Sequence, residues 1–140
     1  MISNDSVTVT TVVRAGAAET FRIFTGEIDS WWRRGPTYRT HDGVMRFEAG
    51  CLLEGERQIA RVVAWEPGVR LLMEWDSWSF RPGERTEVEV RFEPIGDGTR
   101  VTIEHRGWQP RGEGAGAFRA VAGLWWAALL PALRSSASKP

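Results

Sequence analysis

A chain of 140 residues is long enough to bury a core without staples, and is read as one domain, 1–140, with its core over about 7–134. Eighteen basic and eighteen acidic residues cancel, which removes the electrostatic case for nucleic acid or a membrane as partner. The single cysteine, Cys51, excludes an internal disulfide and suits a reducing compartment, so a cytoplasmic location is expected. The opening MISNDSVTVT has neither a basic nor an apolar leader segment, and no signal peptide is expected. Eight Trp stand beside one Tyr. Trp brings a large apolar area and one N–H donor, so this bias enriches either a core or an aromatic-lined pocket.

In chain order, Val7 to Arg14 alternates and is rich in β-branched residues, which predicts a first strand. After Gly16, the residues Ala17, Phe21, Phe24 and Ile28 recur at helical spacing, and Gly26 interrupts them. Two short helices are therefore expected, about Ala17–Thr25 and Glu27–Arg33. Thr37 to Asp42 reads as loop. From Gly43 the period becomes two. Val44–Ala49 sets Met45, Phe47 and Ala49 against Arg46 and Glu48, and Cys51–Glu54 is a short strand turning at Gly55. Gln58–Glu66 follows, but its facing is ambiguous, because Val62, Val63, Ala64 and Trp65 are apolar in succession. Glu66-Pro67-Gly68-Val69 carries the residues of a type II turn.

Val69–Trp78 then places Leu71, Met73 and Trp75 on one face, with Arg70, Glu74 and Asp76 on the other. Ser79–Arg85 is a looser loop. Thr86–Glu93 alternates without fault, with Val88, Val90 and Phe92 inward. Gly96-Asp97-Gly98 turns it into Thr99–Gly107, where Val101, Ile103 and His105 share a face. Gly112 to Ser136 is the one segment long and apolar enough for a major helix. Its Val121, Ala122, Trp125, Leu129 and Leu133 fall on one face, widened by Trp126 and Leu130. The uncharged run from Ala120 to Leu133 is too short to cross a membrane. Gly123 permits a close approach, and Pro131 should loosen the last turn. This order of elements is that of an α+β domain, an antiparallel sheet curled around the C-terminal helix.

Several phrases carry a family resemblance. They are Phe21-Arg22-Ile23-Phe24 with Ile28-Asp29-Ser30-Trp31-Trp32, then Ala60-Arg61-Val62-Val63-Ala64-Trp65-Glu66-Pro67, and Thr86-Glu87-Val88-Glu89-Val90-Arg91-Phe92. Gly96-Asp97-Gly98-Thr99-Arg100-Val101-Thr102 and His105-Arg106-Gly107-Trp108 complete the set. In order and spacing they resemble the helix-grip superfamily of START-like lipid-binding domains and polyketide cyclases. Within it they resemble the family named for the C-terminal domain of the activator of Hsp90 ATPase. That resemblance implies a curved sheet of about seven strands and an internal cavity between sheet and long helix. It also implies a separate N-terminal domain for gripping Hsp90, which is not read in this chain, and a Cys51–Gln58 hairpin that is clipped here. With the strand phases, it makes Phe24, Trp32, Phe47, Val62, Met73 and Trp75 the expected cavity lining, together with Val90, His105, Trp125 and Leu129.

Among candidate chemistry, His105 faces inward. It could be a ligand contact or an acid/base group, or a core histidine bonded to a backbone carbonyl. The second is preferred because no partner group accompanies it. Trp31, Trp32, Trp75 and Trp125 are inward and serve pocket or core equally. Trp65, Trp78 and Phe80 are expected to be partly exposed, and His41 solvated. Glu74 with Asp76, and Glu87 with Glu89, belong to the outer face among arginines. Cys51 has no base beside it. Gly112, Gly114 and Gly116 lack the strand and the acid of a dinucleotide site. No residues have metal-ligand spacing, so neither metal nor cofactor is expected.

The leading expectation is a bacterial binding protein for a small apolar or aromatic molecule. Another is an Hsp90-type chaperone partner. A third is a cyclase or aromatase using His105 and an inward Arg61, although an enzyme is the less favoured class and no catalytic residue is assigned. A homodimer is left open.

Overall fold

Alternation with a period of two makes most of this molecule sheet. The computed structural model describes residues 6–35, 38–39, 43–75, 85–107 and 115–137, with side chains of the last stretch described from residue 122. His41, Asp76, Trp78, Phe80, Gly112, Gly114 and the Val121 side chain lie outside the described residues. The elements in order are β1 (Ser6–Val13), α1 (Ala17–Gly26), α2 (Ile28–Trp31), β2 (Met45–Glu48) and β3 (Cys51–Glu54). There follow β4 (Arg57–Glu66), β5 (Arg70–Trp75), β6 (Thr86–Ile95), β7 (Gly98–Arg106) and α3 (Ala115–Ala137). The strands form one seven-stranded sheet, ordered β1-β7-β6-β5-β4-β3-β2, with antiparallel neighbours throughout. This is the α+β architecture that the element order predicts, in the helix-grip arrangement that the family resemblance implies.

The inner face carries Leu71, Met73 and Trp75 of β5, Val88, Val90 and Phe92 of β6, and Val101, Ile103 and His105 of β7, all buried. The outer face is an arginine–glutamate lattice. Glu74 opposes Glu87, and Glu89 opposes Glu104, pairings that would repel unaided. Arginines separate them: Arg106 bonds Glu87, Glu89 and Glu104, while Arg70 and Arg91 also reach Glu89. Burial works to raise the Glu89 carboxyl, but these guanidinium bonds outweigh it and hold it below its ordinary range.

The strand whose facing is ambiguous in sequence resolves through a bulge. Val62 pairs with Met73 and Ala64 with Leu72, so Val63 is the extra residue. Before the bulge, Ala60 and Val62 face inward, opposite Trp75 and Met73; after it, Trp65 takes the inner side opposite Leu71 but stays 45% exposed at its edge, the partial exposure expected of it. A bulge re-aims side chains in this way, and four successive apolar residues conceal it. Arg61 lies on the outer side, where it pairs with Glu74 at 2.6 Å. It is therefore not an inward arginine. The expected type II turn is present, with Gly68 at φ 77° and a Val69 N–H to Glu66 carbonyl bond of 2.9 Å.

The long helix covers only part of the sheet. α3 packs on β1 and β7, and touches α1 and α2. Ala122, Trp125, Trp126, Leu129, Leu130 and Leu133 are buried, whereas Leu124, Ala127 and Pro131 are exposed. The helix continues through Pro131 to Ala137, with the proline on the face where the carbonyl it leaves unpaired meets water. Gly123 is the close-approach residue: a Cβ there would stand 2.7 Å from Cγ2 of Val7. Gly123→Ala alone is expected to lower the urea midpoint. In a Val7→Ala background the same change should raise it, as the helix-propensity gain of about 1 kcal/mol emerges.

A buried arginine, read in the sequence only as loop, ties the short helices to the sheet. Arg39 is 1% exposed. Its guanidinium pairs with the Asp29 carboxylate and donates to the carbonyls of Asp29, Trp32, Arg33 and Gly43. Asp29 also accepts the Met45 N–H at 2.9 Å, joining the start of β2 to α2. Burial alone would raise the Asp29 carboxyl. The Met45 amide bond and the Arg39 pairing hold it below the usual range instead. Arg39→Met should destabilise the protein by about 3 kcal/mol in urea titration, because it removes the guanidinium donor from a carboxylate and four carbonyls. A loss no larger than that of the exposed control Arg57→Met would refute this role.

Candidate functional site

Aromatic side chains fill the space between the inner sheet face and the helices. Trp32, just beyond α2, stands at ring-centroid distances of 5.3 Å from Trp125, 5.7 Å from Trp126 and 6.3 Å from Trp75. Phe24 joins Trp31 at 4.9 Å and Phe92 at 5.8 Å. Phe21 continues the series to Trp65, and Trp65 to Phe47. The buried tryptophans thus reach the core from α2 and the residue after it, from β5 and from α3, elements that sequence periodicity treats separately, while Trp65 of β4 stays half exposed at the edge.

Burying an indole buries its N–H, so each needs an acceptor. Trp31 donates to the Phe24 carbonyl at 3.2 Å, and Trp32 to the Tyr38 carbonyl at 3.0 Å. Trp126 donates to Nδ1 of His105 at 3.1 Å. Trp75, only 1% exposed, carries an Nε1 with no hydrogen-bond partner among the described residues.

The Trp126 bond settles the state of the imidazole. An indole N–H can only donate, so Nδ1 of His105 must present its lone pair. The proton of the neutral ring is then on Nε2, which donates to the Thr86 hydroxyl at 2.6 Å. Protonating Nδ1 would set two donors against each other in a site with no water contact. Burial accordingly pushes His105 down to about 3. Both ring nitrogens are committed, so the imidazole does not serve as an acid or base near neutrality. This is the core histidine the sequence favours, although its partners are a tryptophan and a threonine where a backbone carbonyl is expected. With Arg61 on the outer face, the cyclase-like reading loses both residues named for it.

The inner face is open beside the short strands β2 and β3. A groove of about 300 Å³ is lined by Phe47, Val62 and Trp65, with Glu48, Ala49, Gly50 and Cys51 at its rim. β2 and β3 have only four residues each, so the sheet ends early on this side, and α3 does not reach it. Ala49 and Gly50, at φ 52° and 78°, make the tight turn that forms the rim. Cys51 lies there half-buried, its Sγ 3.3 Å from the Gln58 amide oxygen.

The structure therefore divides the predicted lining into two groups. Phe24, Trp32, Met73, Trp75, Val90, His105, Trp125 and Leu129 are buried in the packed interior. Phe47 and Val62 line the groove. Trp65 and Cys51 belong to the groove but are absent from the predicted lining, Trp65 because only the bulge turns it inward. Thr86 and Trp126 were also missed as partners of His105. The apolar face of the long helix contains Trp126, but nothing in the sequence pairs it with His105. Among the described residues, no three His, Cys, Asp or Glu side chains gather as metal ligands would, and no described helix is long and apolar enough to cross a membrane.

This fold and inner face can be set against known proteins. The profile of activator of Hsp90 ATPase homolog 1-like protein matches residues 14–133. The chain belongs to that family. No curated protein matches it by sequence. CalU16 from Micromonospora echinospora has a crystal structure similar to this AHSA1-like chain at TM-score 0.69 and 20% identity, covering 95% of this chain and 76% of its own. The Aha1 dimer from Colwellia psychrerythraea, solved in solution, aligns at TM-score 0.65 and 16% identity over 99% of this chain and 97% of its own. PFC0360w, an HSP90 activator from Plasmodium falciparum, aligns at TM-score 0.55 and 13% identity over 73% and 72%. At these identities the likeness is one of fold.

The buried imidazole makes a pH prediction. Its folded value of about 3 lies below the ordinary 6.5, so between them the unfolded chain binds a proton that the folded chain refuses. Stability must therefore fall as pH drops below the ordinary histidine value, at up to ~1.4 kcal/mol per pH unit. His105→Gln should flatten the stability profile between about pH 6.5 and 5, above most carboxylate titrations. An unchanged slope in denaturant titrations would mean that the imidazole is solvated.

Proposed function

We propose that this AHSA1-like protein binds a small, largely apolar or aromatic molecule on its inner sheet face, entering at the groove of Phe47, Val62 and Trp65. The observation that carries this reading is the groove itself. It is concave, predominantly apolar, and continuous through Trp65 and Phe21 with the buried aromatic cluster. Concave apolar sites bordered by a few polar groups are where small molecules bind proteins. The balanced charge and the lone cysteine fit a cytoplasmic role.

Native mass spectrometry of protein purified from its own host, beside a denatured control, is the direct test. A reproducible extra mass is the expected result. In parallel, the fluorescent probe N-phenyl-1-naphthylamine should bind the wild type, and Val62→Trp, which fills the groove, should weaken that binding at least tenfold. Undiminished binding in Val62→Trp would remove the groove from the reading.

The family description and the Plasmodium falciparum HSP90 activator favour a second reading, action on an Hsp90-type chaperone. Stimulation of the cognate Hsp90 ATPase by the purified protein would support it. No change at saturating concentration would end it.

A further inference from the structure

We infer that the indole N–H of Trp75 is the polar anchor of the ligand site, and that it takes a neutral hydrogen-bond acceptor, such as a ketone, ester or ether oxygen, carried on an apolar or aromatic body. This rests on the ligand-binding reading above and specifies the chemistry of the molecule. Among the described residues, Trp75 Nε1 is the one buried side-chain nitrogen or oxygen with no hydrogen-bond partner. Leaving such a donor unmet costs roughly 1–3 kcal/mol. Native interiors rarely tolerate that loss, so the orphan marks a place where a partner arrives from outside the chain.

The surroundings say which partner. Among the described residues, the rings in contact with Trp75 are those of Trp32, Trp125, Trp126 and His105. The ring nitrogens of Trp32, Trp126 and His105 are already engaged with Tyr38, with each other and with Thr86. A water molecule needs two to four polar partners to be held in an interior; the rings offer it only the Trp75 donor, and the Thr86 hydroxyl, opposite Trp75 in the sheet, is already bonded to His105. A carboxylate would meet the same donor with no opposite charge on the rings touching Trp75, at a large desolvation cost. A neutral oxygen on an apolar frame meets both requirements at once, since it accepts one bond and buries the rest of its surface against rings.

The groove lies within reach of that donor. Val62 faces Met73 across the β4–β5 pair, and Ala60 faces Trp75 two residues further along the same inner face. Two residues of strand span roughly 7 Å, about the length of a fused bicyclic ring. Met73 stands between groove and donor in the register, opposite Val62 and two residues before Trp75, and its unbranched thioether is the most adaptable of the apolar side chains.

The test uses uniformly nitrogen-15-labelled protein and two probes of nearly equal shape, 1-tetralone, which has a ketone, and tetralin, which has none. Trp75→Phe removes the N–H while keeping an aromatic ring, and it identifies the Trp75 indole signal by its loss. The expected result is that wild type binds the ketone about fivefold more tightly than the hydrocarbon, the worth of one net hydrogen bond. The ketone, and not tetralin, should move the Trp75 signal downfield, and Trp75→Phe should bind the two probes alike. Equal affinity in wild type with no movement of that signal would overturn the anchor while leaving the binding reading intact. Magnetisation exchange between the Trp75 N–H and a long-lived water that the ketone does not displace would overturn it too. Binding of neither probe would overturn the ligand reading and the anchor with it. If Trp75→Phe does not fold, the two wild-type titrations decide alone, because only the ketone should move an indole signal downfield.

Discussion

The hydrogen-bonded chain from Trp126 through His105 to Thr86 is the constraint on which the interior depends. It is a polar connection between the long helix and the sheet, running through a space rich in apolar contact. Each member fixes the next. The indole can only donate, so the imidazole must be neutral and protonated on Nε2, and the threonine hydroxyl must accept. A fully satisfied buried network is rigid and specifies one arrangement. It gives α3 a defined rotation about its own axis, and with that rotation Trp125 and Leu129 take their places beneath the sheet. The aromatic cluster is therefore held by geometry more than by size, and Trp75 is left within it as the ring whose nitrogen the network does not include.

A second polar fixture does for the short helices what the first does for the long one. Arg39 satisfies carbonyls at the end of α2 and before β2, and it neutralises Asp29 in the same act. Between these two fixtures the inner face is closed by rings, and beyond them, at the short strands β2 and β3, it is not. The location of the groove follows from where covering elements stop. Its apolar character follows from its being inner-face surface that no described element covers.

Most of the architecture was legible because alternation in Thr86–Glu93 and the three-and-four spacing in the last helix each admit one solution. The turn at Pro67-Gly68 was legible for the same local reason. What could not be read depends on contacts between residues distant in sequence. The facing of Trp65 turns on one extra residue in β4, and the run Val62-Val63-Ala64-Trp65 has no polar residue to mark where the phase changes. The burial of Arg39 depends on Asp29 and Gly43 arriving around it, so the residue looks like any loop arginine until the fold is known. His105 was placed inward by its phase. Its partners lie 19 and 21 residues away, at Thr86 and Trp126, and no periodicity links them.

The strand order has a consequence for how the chain reaches this state. From β2 to β7 each strand pairs with the next in sequence, so the sheet can grow by successive hairpins whose loops are cheap to close. The pairing of β1 with β7 is of another kind, joining Val7 to His105 across nearly the whole chain. α3 docks on those same two strands. On a ribosome, β1 is made before β7 and must wait for it before its inward valines, Val7, Val9 and Val13, are covered. The interval is set by the speed of translation, so the first strand spends longest exposed and has most need of a chaperone's protection.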